Sequence, residues 1–305
     1  AAVIAFRIPA ETPKGFLMAA AHTDRPSLKL KENGEKVGAY TSLQVERYGG
    51  LLIAPWLDRP LSLAGRVMVQ TAHGAKSVLV DIDRDLLLIP NVAIHMNRQA
   101  NDGYKWNPVM DVNPLLGGKN AAGKLTTLLE EAAGGKILGH DLTLYVREDA
   151  RVWGMENEYI SSQALDDLQC VWGCFRGFLN AAPGGDIPVF CALNSEEIGS
   201  RTTDGADSTY VEDVLTRIAE GLHRNVRALL SQSFLVSADN AHAIHPNHPE
   251  LADPSNAPVM GDGIVVKFNS NQRYCTDGLC AALFRQVCEK AGASVQTYYN
   301  RPDIP

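Results

Sequence analysis

Two adjacent glutamates, Glu196 and Glu197, stand in "CALNSEEIGS" directly after the apolar run "IPVFCAL" (187–193). Such a run reads as a strand entering a core. Both carboxylates then sit at its mouth, where an ion is costly unless something neutralises it. The pattern recurs along the chain. His22 and Asp24 follow the apolar run "GFLMAAA" (15–21), Asp239 follows "SFLVS", and Asp166 and Asp167 open the helical stretch "DDLQCVW". Six carboxylates and one imidazole are therefore expected along one edge of a sheet. Crowded carboxylates push one another towards protonation unless a counter-charge is supplied, and no Lys or Arg cluster stands at these strand ends. Divalent cations meet that need. Imidazole with carboxylates and no thiolate suits catalytic zinc, or cobalt or manganese. One imidazole against several carboxylates suggests two metals bridged by a carboxylate, about 3.5–4 Å apart, as in hydrolases that clamp a substrate oxygen between ions.

On an extended backbone neighbouring side chains point opposite ways, so Glu196 and Glu197 cannot both ligate one ion from a regular strand. At a strand-to-loop turn one can ligate while the other faces water as a general base. Each signal alone has an ordinary reading. A single His at a strand end commonly satisfies core or surface hydrogen bonds, His-x-Asp occurs by chance, and "ALDDL" can be an Asp helix cap. The stretch "DNAHAIHPNHPE" holds His242, His245 and His248, but its prolines make it a loop, where the three histidines read as structural or as supports behind the ligands. It is the joint occurrence at strand ends that carries the metal reading.

Positioning these residues requires a sheet whose strands end together. After about residue 150 the chain alternates strand and helix: "DDLQCVWGCFRGFL" places Leu168, Val171, Trp172, Phe175 and Phe178 on one apolar helical face. "YVEDVLTRIAEGLHRNVRALL" reads as one further helix, and "TDGLCAALFRQVCEKAG" as another with Thr276 at its N-cap. "IPVFCAL", "SFLVSAD" and "SVQTYYN" read as strands. Alternation of this kind predicts an α/β fold with a mostly parallel sheet covered by helices on both faces, whose ligands lie at the carboxyl ends of the strands. From about 38 to 148 the texture differs: short β-rich pieces separated by turn residues, interrupted by one helical stretch, "AGKLTTLLEEAAGG". The expected organisation is catalytic domain over 1–37, inserted β-rich domain over 38–148, and catalytic domain resumed over 149–305.

Composition narrows the class. With 305 residues, 45% apolar, 21% charged and a formal net charge of −7, the chain has material for a large core and no basic block for nucleic acid or anionic membrane. No run approaches the ~18 apolar residues of a membrane span. The six cysteines (Cys170, Cys174, Cys191, Cys275, Cys280 and Cys288) form no C-x-x-C pair and read as buried small hydrophobes of a reducing cytoplasm. "AAVIAFRIPAETPKG" lacks the basic and apolar regions of a signal peptide. It begins without Met in strand-like sequence, so the true start is expected upstream.

Together, "AAHTDRPSLKLK", "YGGLLIAPWLDRPLSLAGRV", "IPNVAIHMNR", "ALDDLQC", "NSEEIGS", "SADNAHAIHPN" and "VKFNSNQRYCTDG" resemble the aspartyl aminopeptidase family, di-metal exopeptidases that remove N-terminal residues. The resemblance runs from about residue 3 to the end. It implies a zinc-peptidase-like α/β/α sandwich, an inserted domain that joins protomers, and a tetrahedral homo-dodecamer. It also implies zinc, two ions per site, acting on peptides with a free N-terminus and on acidic first residues. Carried over by position, His22, Asp166, Glu197 and Asp239 are metal ligands, with Asp166 bridging. Glu196 is the general base, and Asp24 orients His22. His95 is delivered into a neighbouring protomer's site, and Lys267 pairs with an acidic substrate side chain, although an ordinary strand lysine would look the same.

Two departures qualify the match. The family's last ligand, a histidine beyond a stretch like "YYNRPDIP", and its N-terminal helical segment have no counterpart here, so the chain is expected to be the central part of a longer one. Arg25 and Ala164 stand where relatives carry other residues and are expected to retune the substrate pocket. The rival reading is a catalytically impaired scaffold or cargo-binding shell that keeps the peptidase fold. A metal-dependent amidohydrolase of other specificity is a further one.

Overall fold

The computed structural model describes residues 2–303, which fall into two compact units meeting in sequence between Ala238 and Asp239. The first unit opens with β1 (Val3–Phe6) and β2 (Phe16–His22). The chain then leaves for β3 (Ser27–Val37), β4 (Tyr40–Tyr48), β5 (Leu61–Thr71), β6 (Gly74–Asp81) and β7 (Leu115–Gly118). Helix α1 (Lys124–Ala133), β8 (Ile137–Val146) and the hairpin strands β9 (Arg151–Trp153) and β10 (Tyr159–Ser161) follow. It returns through α2 (Leu165–Asn180), β11 (Ile187–Leu193), α3 (Thr209–Gly221), α4 (Val226–Leu230) and β12 (Phe234–Ser237). The second unit contains β13 (Ile264–Phe268), α5 (Gly278–Lys290) and β14 (Val295–Tyr299), the two strands pairing in parallel.

The catalytic sheet has the order β1-β11-β2-β12, with β11, β2 and β12 parallel and β1 antiparallel at the edge. Continuous apolar sequence lets β11 bury both faces. Ile187, Val189, Cys191 and Leu193 share a core with Leu215, Ile218 and Ala219 of α3 and Leu229 of α4. Phe190, pointing the other way, meets Phe175 and Phe178 of α2 at ring separations of 5.3 and 6.3 Å. This is the α/β layering that the strand–helix alternation predicts. The excursion between β2 and α2 builds its own sheet, β6-β5-β8-β3-β4-β7, antiparallel throughout, around Leu28, Leu43, Leu61, Leu63, Leu142 and Leu144, all essentially inaccessible.

Local details differ from expectation. The six-stranded sheet takes in Ser27–Val37, expected in the flanking segment, because β3 pairs with β4 and β8. The long stretch 210–230 is two helices. Leu222 leaves helical geometry, His223 is left-handed (φ 53°), and Asn225 recaps α4 through its side chain to the Ala228 amide. Asp277, not Thr276, caps α5, accepting from the Cys280 amide. On α2, Phe175 and Phe178 touch Phe190 of the sheet, yet Phe175, Leu168 and Trp172 all remain exposed. All six cysteines are free thiols.

Phe16 starts β2, is fully buried and sits in the α3-side core. Phe16→Ala is expected to cost about 3–5 kcal/mol in urea unfolding. A loss under about 1 kcal/mol would show that this layer does not depend on it.

Candidate metal centre

β2 and β11 end level, His22 opposite Leu193, and the Thr23 amide donates to the Leu193 carbonyl at 2.7 Å. Whatever follows each strand therefore lands on the same edge. His22 is buried, 6% exposed. Its amide donates to Asp167 Oδ2 at 3.1 Å, and its Nδ1 lies 3.1 Å from the Asp24 carbonyl and 3.6 Å from Asp24 Oδ1. Nε2 lies 3.2 Å from Asp166 Oδ1. With Nδ1 occupied by acceptors, the neutral ring carries its proton there and presents the Nε2 lone pair towards the carboxylates, the tautomer a metal ligand needs.

Asp24 gathers the site. Its Oδ2 accepts from the Tyr48 hydroxyl at 2.7 Å and the Glu197 amide at 3.2 Å, and its Oδ1 accepts from the Glu196 amide at 3.0 Å. The glutamates themselves stand on a turn, not a strand. Ser195 is left-handed (φ 64°), and a single 3₁₀ turn over Glu196–Ile198 closes when the Gly199 amide reaches the Glu196 carbonyl at 2.9 Å. The turn frees both side chains from strand alternation. One carboxylate oxygen of each and one His22 nitrogen lie within 4.8 Å of one another. Gly49 (φ +74°) presses against the turn, and a Cβ there would fall 3.0 Å from Glu197 Cβ, so only glycine fits.

The electrostatics follow from this crowding. Burial opposes charging of His22, but the hydrogen bond to Asp24 and the carboxylates of Asp167, Glu196 and Asp166 prevail and raise its pKa to about 9. Burial and the neighbouring Glu196 push Glu197 up to about 7, against the pull of His22. Burial works against ionising Asp24, yet hydrogen bonds from His22, Tyr48 and the two glutamate amides bring it down to about 2. Burial, followed by the bond to ionised Asp24, raises Tyr48 to about 12. Asp24 is thus a fixed anion, while His22 and Glu197 hold protons that a divalent cation would displace. An imidazole and carboxylates drawn this close, without a thiolate, fit zinc.

Of the residues expected to do chemistry, His22, Asp24, Asp166, Glu196 and Glu197 come together at this edge. The two aspartates of "LDDL" do not cap the helix; both lie outside helical geometry at its start, and the peptide between them is cis. Asp239 and Lys267 belong to the second unit, where Nζ lies 3.2 Å from Asp239 Oδ2 and donates to the Asn240 carbonyl at 2.6 Å. His95 is exposed in the turn 94–96 and makes no hydrogen bond or ion pair among the described residues. Sequence reasoning placed Asp167 at this edge without giving it a role of its own, and did not single out Tyr48. Asp167 is fully inaccessible and bonds the His22 amide, and Tyr48 comes from the inserted sheet. The doublet "DD" and the "YGG" stretch were the signals for them, but a pairing across 24 or 145 residues leaves no periodic trace.

A partly parallel sheet ending in an imidazole–carboxylate cluster, interrupted by an antiparallel module, defines a metallopeptidase of the zinc-dependent α/β class. The family model described as "Aminopeptidase I zinc metalloprotease (M18)" matches residues 1–305, and the chain belongs to that family of metallo-aminopeptidases. It is 37% identical over 318 residues to the "Probable M18 family aminopeptidase 2" of Clostridium acetobutylicum, covering 99% of this chain and 73% of that protein. Among solved structures, the cryo-EM structure of the Ape4 and Nbr1 complex contains a chain 35% identical with a TM-score of 0.93, covering 100% of this chain and 65% of that one. The S. cerevisiae mApe1 dodecamer shares the fold at 23% identity with a TM-score of 0.84, covering 97% of this chain and 71% of that one. The present chain thus spans about two thirds to three quarters of these relatives' lengths.

The pKa shifts fix a sign for metal-free stability. For His22 (6.5 to about 9) and Glu197 (4.5 to about 7) the folded state binds the proton more tightly than the unfolded state. Stability is then greatest below the unfolded values and is lost as pH rises through the folded ones. Asp24, depressed from 3.8 to about 2, acts oppositely and only at acid pH. Chelator-treated protein should therefore melt at falling temperature between about pH 5 and about pH 9, and zinc should raise the melting temperature more at pH 8 than at pH 5.5, where protons compete for the ligands. A pH-independent zinc effect in calorimetry would contradict this site.

Proposed function

We propose that the chain hydrolyses the peptide bond next to a free N-terminus, with Glu196 as general base. The supporting observation is the His22–Glu196–Glu197 grouping, with both glutamate amides fixed on Asp24, in a chain of the M18 family. Zinc, when bound, supplies polarisation of the scissile carbonyl and acidification of water. His22 and Glu197, which are buried and half-buried, offer ligands, and Asp166, close to Nε2 of His22, is the candidate bridge. Glu196, exposed at the turn, takes a proton from the attacking water and returns it to the leaving amine as the C–N bond breaks. The carboxylate cluster suits the positive amine of the substrate. Asp239 and Lys267 keep the roles the family pattern gives them, ligand and partner of an acidic first residue.

Two further elements of the reading concern assembly. The S. cerevisiae mApe1 structure is described as a dodecamer, and a homo-dodecamer formed through the inserted sheet is proposed here, with His95 acting in a neighbour's site. No helix among the described residues is long and apolar enough to cross a membrane.

Glu196→Gln should lower kcat by about 10²–10⁴-fold with zinc per chain unchanged. The same enzyme should cleave a free-amine dipeptide and leave its N-acetylated form intact. A variant that kept most of its rate would remove Glu196 from the role of base, and equal cleavage of both peptides would remove the aminopeptidase reading. In light scattering the particle should weigh about twelve chain masses, and His95→Ala should lower kcat without dissociating it. An active monomer would rule out the part given to assembly.

A further inference from the structure

We propose that Tyr48, from the inserted sheet, is a positioning residue for the hydrolytic site: through Asp24 it holds the Glu196–Glu197 turn against His22. This rests on the hydrolytic reading above but is carried by separate geometry. Tyr48 ends β4, and its ring lies under Lys29 of the neighbouring β3, with Nζ 4.5 Å from the ring centre. Its hydroxyl donates to Asp24 Oδ2 at 2.7 Å, the shortest of the contacts to that carboxylate. The same oxygen accepts the Glu197 amide, and the other oxygen accepts the Glu196 amide. The next residue, Gly49, packs on Glu197 itself. The inserted sheet thus touches the glutamate turn both through Asp24 and directly.

What Tyr48 adds becomes clear when the Asp24 partners are sorted by element. The two amides belong to the turn, and His22 lies on the same short segment as Asp24. Without a further contact, carboxylate and turn can shift together while keeping all those bonds. The Tyr48 hydroxyl reaches Asp24 from a different, strand-anchored element, so it fixes where the group as a whole stands. A displacement near 1 Å at a reacting group can cost about 10²-fold in rate, and groups behind metal ligands typically contribute about 10–100-fold. Tyr48 does this without touching substrate.

Tyr48→Phe keeps the ring and deletes the hydroxyl. In the full-length, zinc-loaded protein, kcat should fall at least fivefold, roughly 10–100-fold, with KM within about threefold, zinc per chain unchanged and the melting temperature little altered. Two readouts need no turnover: the visible spectrum of the cobalt-loaded protein should change, and amide exchange over residues 195–198 of metal-free protein should quicken. A kcat within fivefold of wild type overturns the proposal, as does kcat falling in proportion to lost zinc or lost fold. If wild-type protein hydrolyses no peptide, the functional reading fails, and the spectrum and exchange alone decide on Tyr48: unchanged in the variant, they overturn it; changed, they uphold it.

Discussion

An ionised carboxylate placed out of water needs about as many donors as it has lone pairs. Asp24, its side chain 7% exposed, meets that demand with the Tyr48 hydroxyl, the amides of Glu196 and Glu197, and the nearby Nδ1 of His22. Each donor belongs to a piece of chain that would otherwise be free to wander: a strand of the inserted sheet, the turn after β11, and the ligand at the end of β2. Solvating this one anion from within therefore brings the three pieces to fixed positions. Removing any donor leaves the charge partly unsatisfied, which is why the arrangement has so little freedom.

The paired glutamates are the next consequence. A regular strand would send their side chains to opposite faces of the sheet. The chain instead turns at Ser195, accepts left-handed backbone there and at Gly199, and spends both amides on Asp24. Both carboxylates then share the side occupied by His22. Burial, and then the repulsion of Glu196, keep the proton on Glu197 up to about pH 7. Backbone strategy and electrostatics are thus two aspects of one turn: the amides neutralise Asp24, and the side chains create a demand for positive charge.

Legibility in sequence followed the range of the interaction. Strand ends carrying His22, Glu196 and Glu197 were readable because an apolar run stops where polar residues begin, and the β-rich stretch between β2 and α2 was readable because its short strand-like pieces are separated by turn residues. Helix boundaries were not. One stripe of apolar residues continues across Gly221–Asn225, yet the chain breaks there and recaps, since Asn225 offers its side chain to an amide and competes with helix continuation. Ser27–Val37 joins this sheet because it pairs with the next strand, β4, and with β8, more than a hundred residues on, and the second pairing leaves no local trace. Tyr48 and Gly49 were silent for the same reason: nothing local distinguishes a tyrosine on a strand from one that solvates a distant aspartate.

Charge balance closes the account of this edge of the first unit. Asp24, Asp166, Asp167, Glu196 and Glu197 crowd one imidazole. Against the cost of burial, hydrogen bonds from His22, Tyr48 and the two glutamate amides keep Asp24 ionised far into acid, with a pKa of about 2. Part of the surplus is met by protons on His22 and Glu197, whose pKa values are raised to about 9 and about 7. Protons and divalent cations compete for the same oxygens and nitrogen, so the protonation pattern maps where positive charge is wanted. It is wanted between His22 and Glu197, beside the exposed carboxylate of Glu196. The anion solvated by Tyr48 and the two amides holds the turn still, and the carboxylates crowded around His22 create the demand for a cation. The division of labour between Asp24 and its neighbours is therefore set by hydrogen-bond donors, and the inserted sheet supplies the one donor that the catalytic sheet lacks.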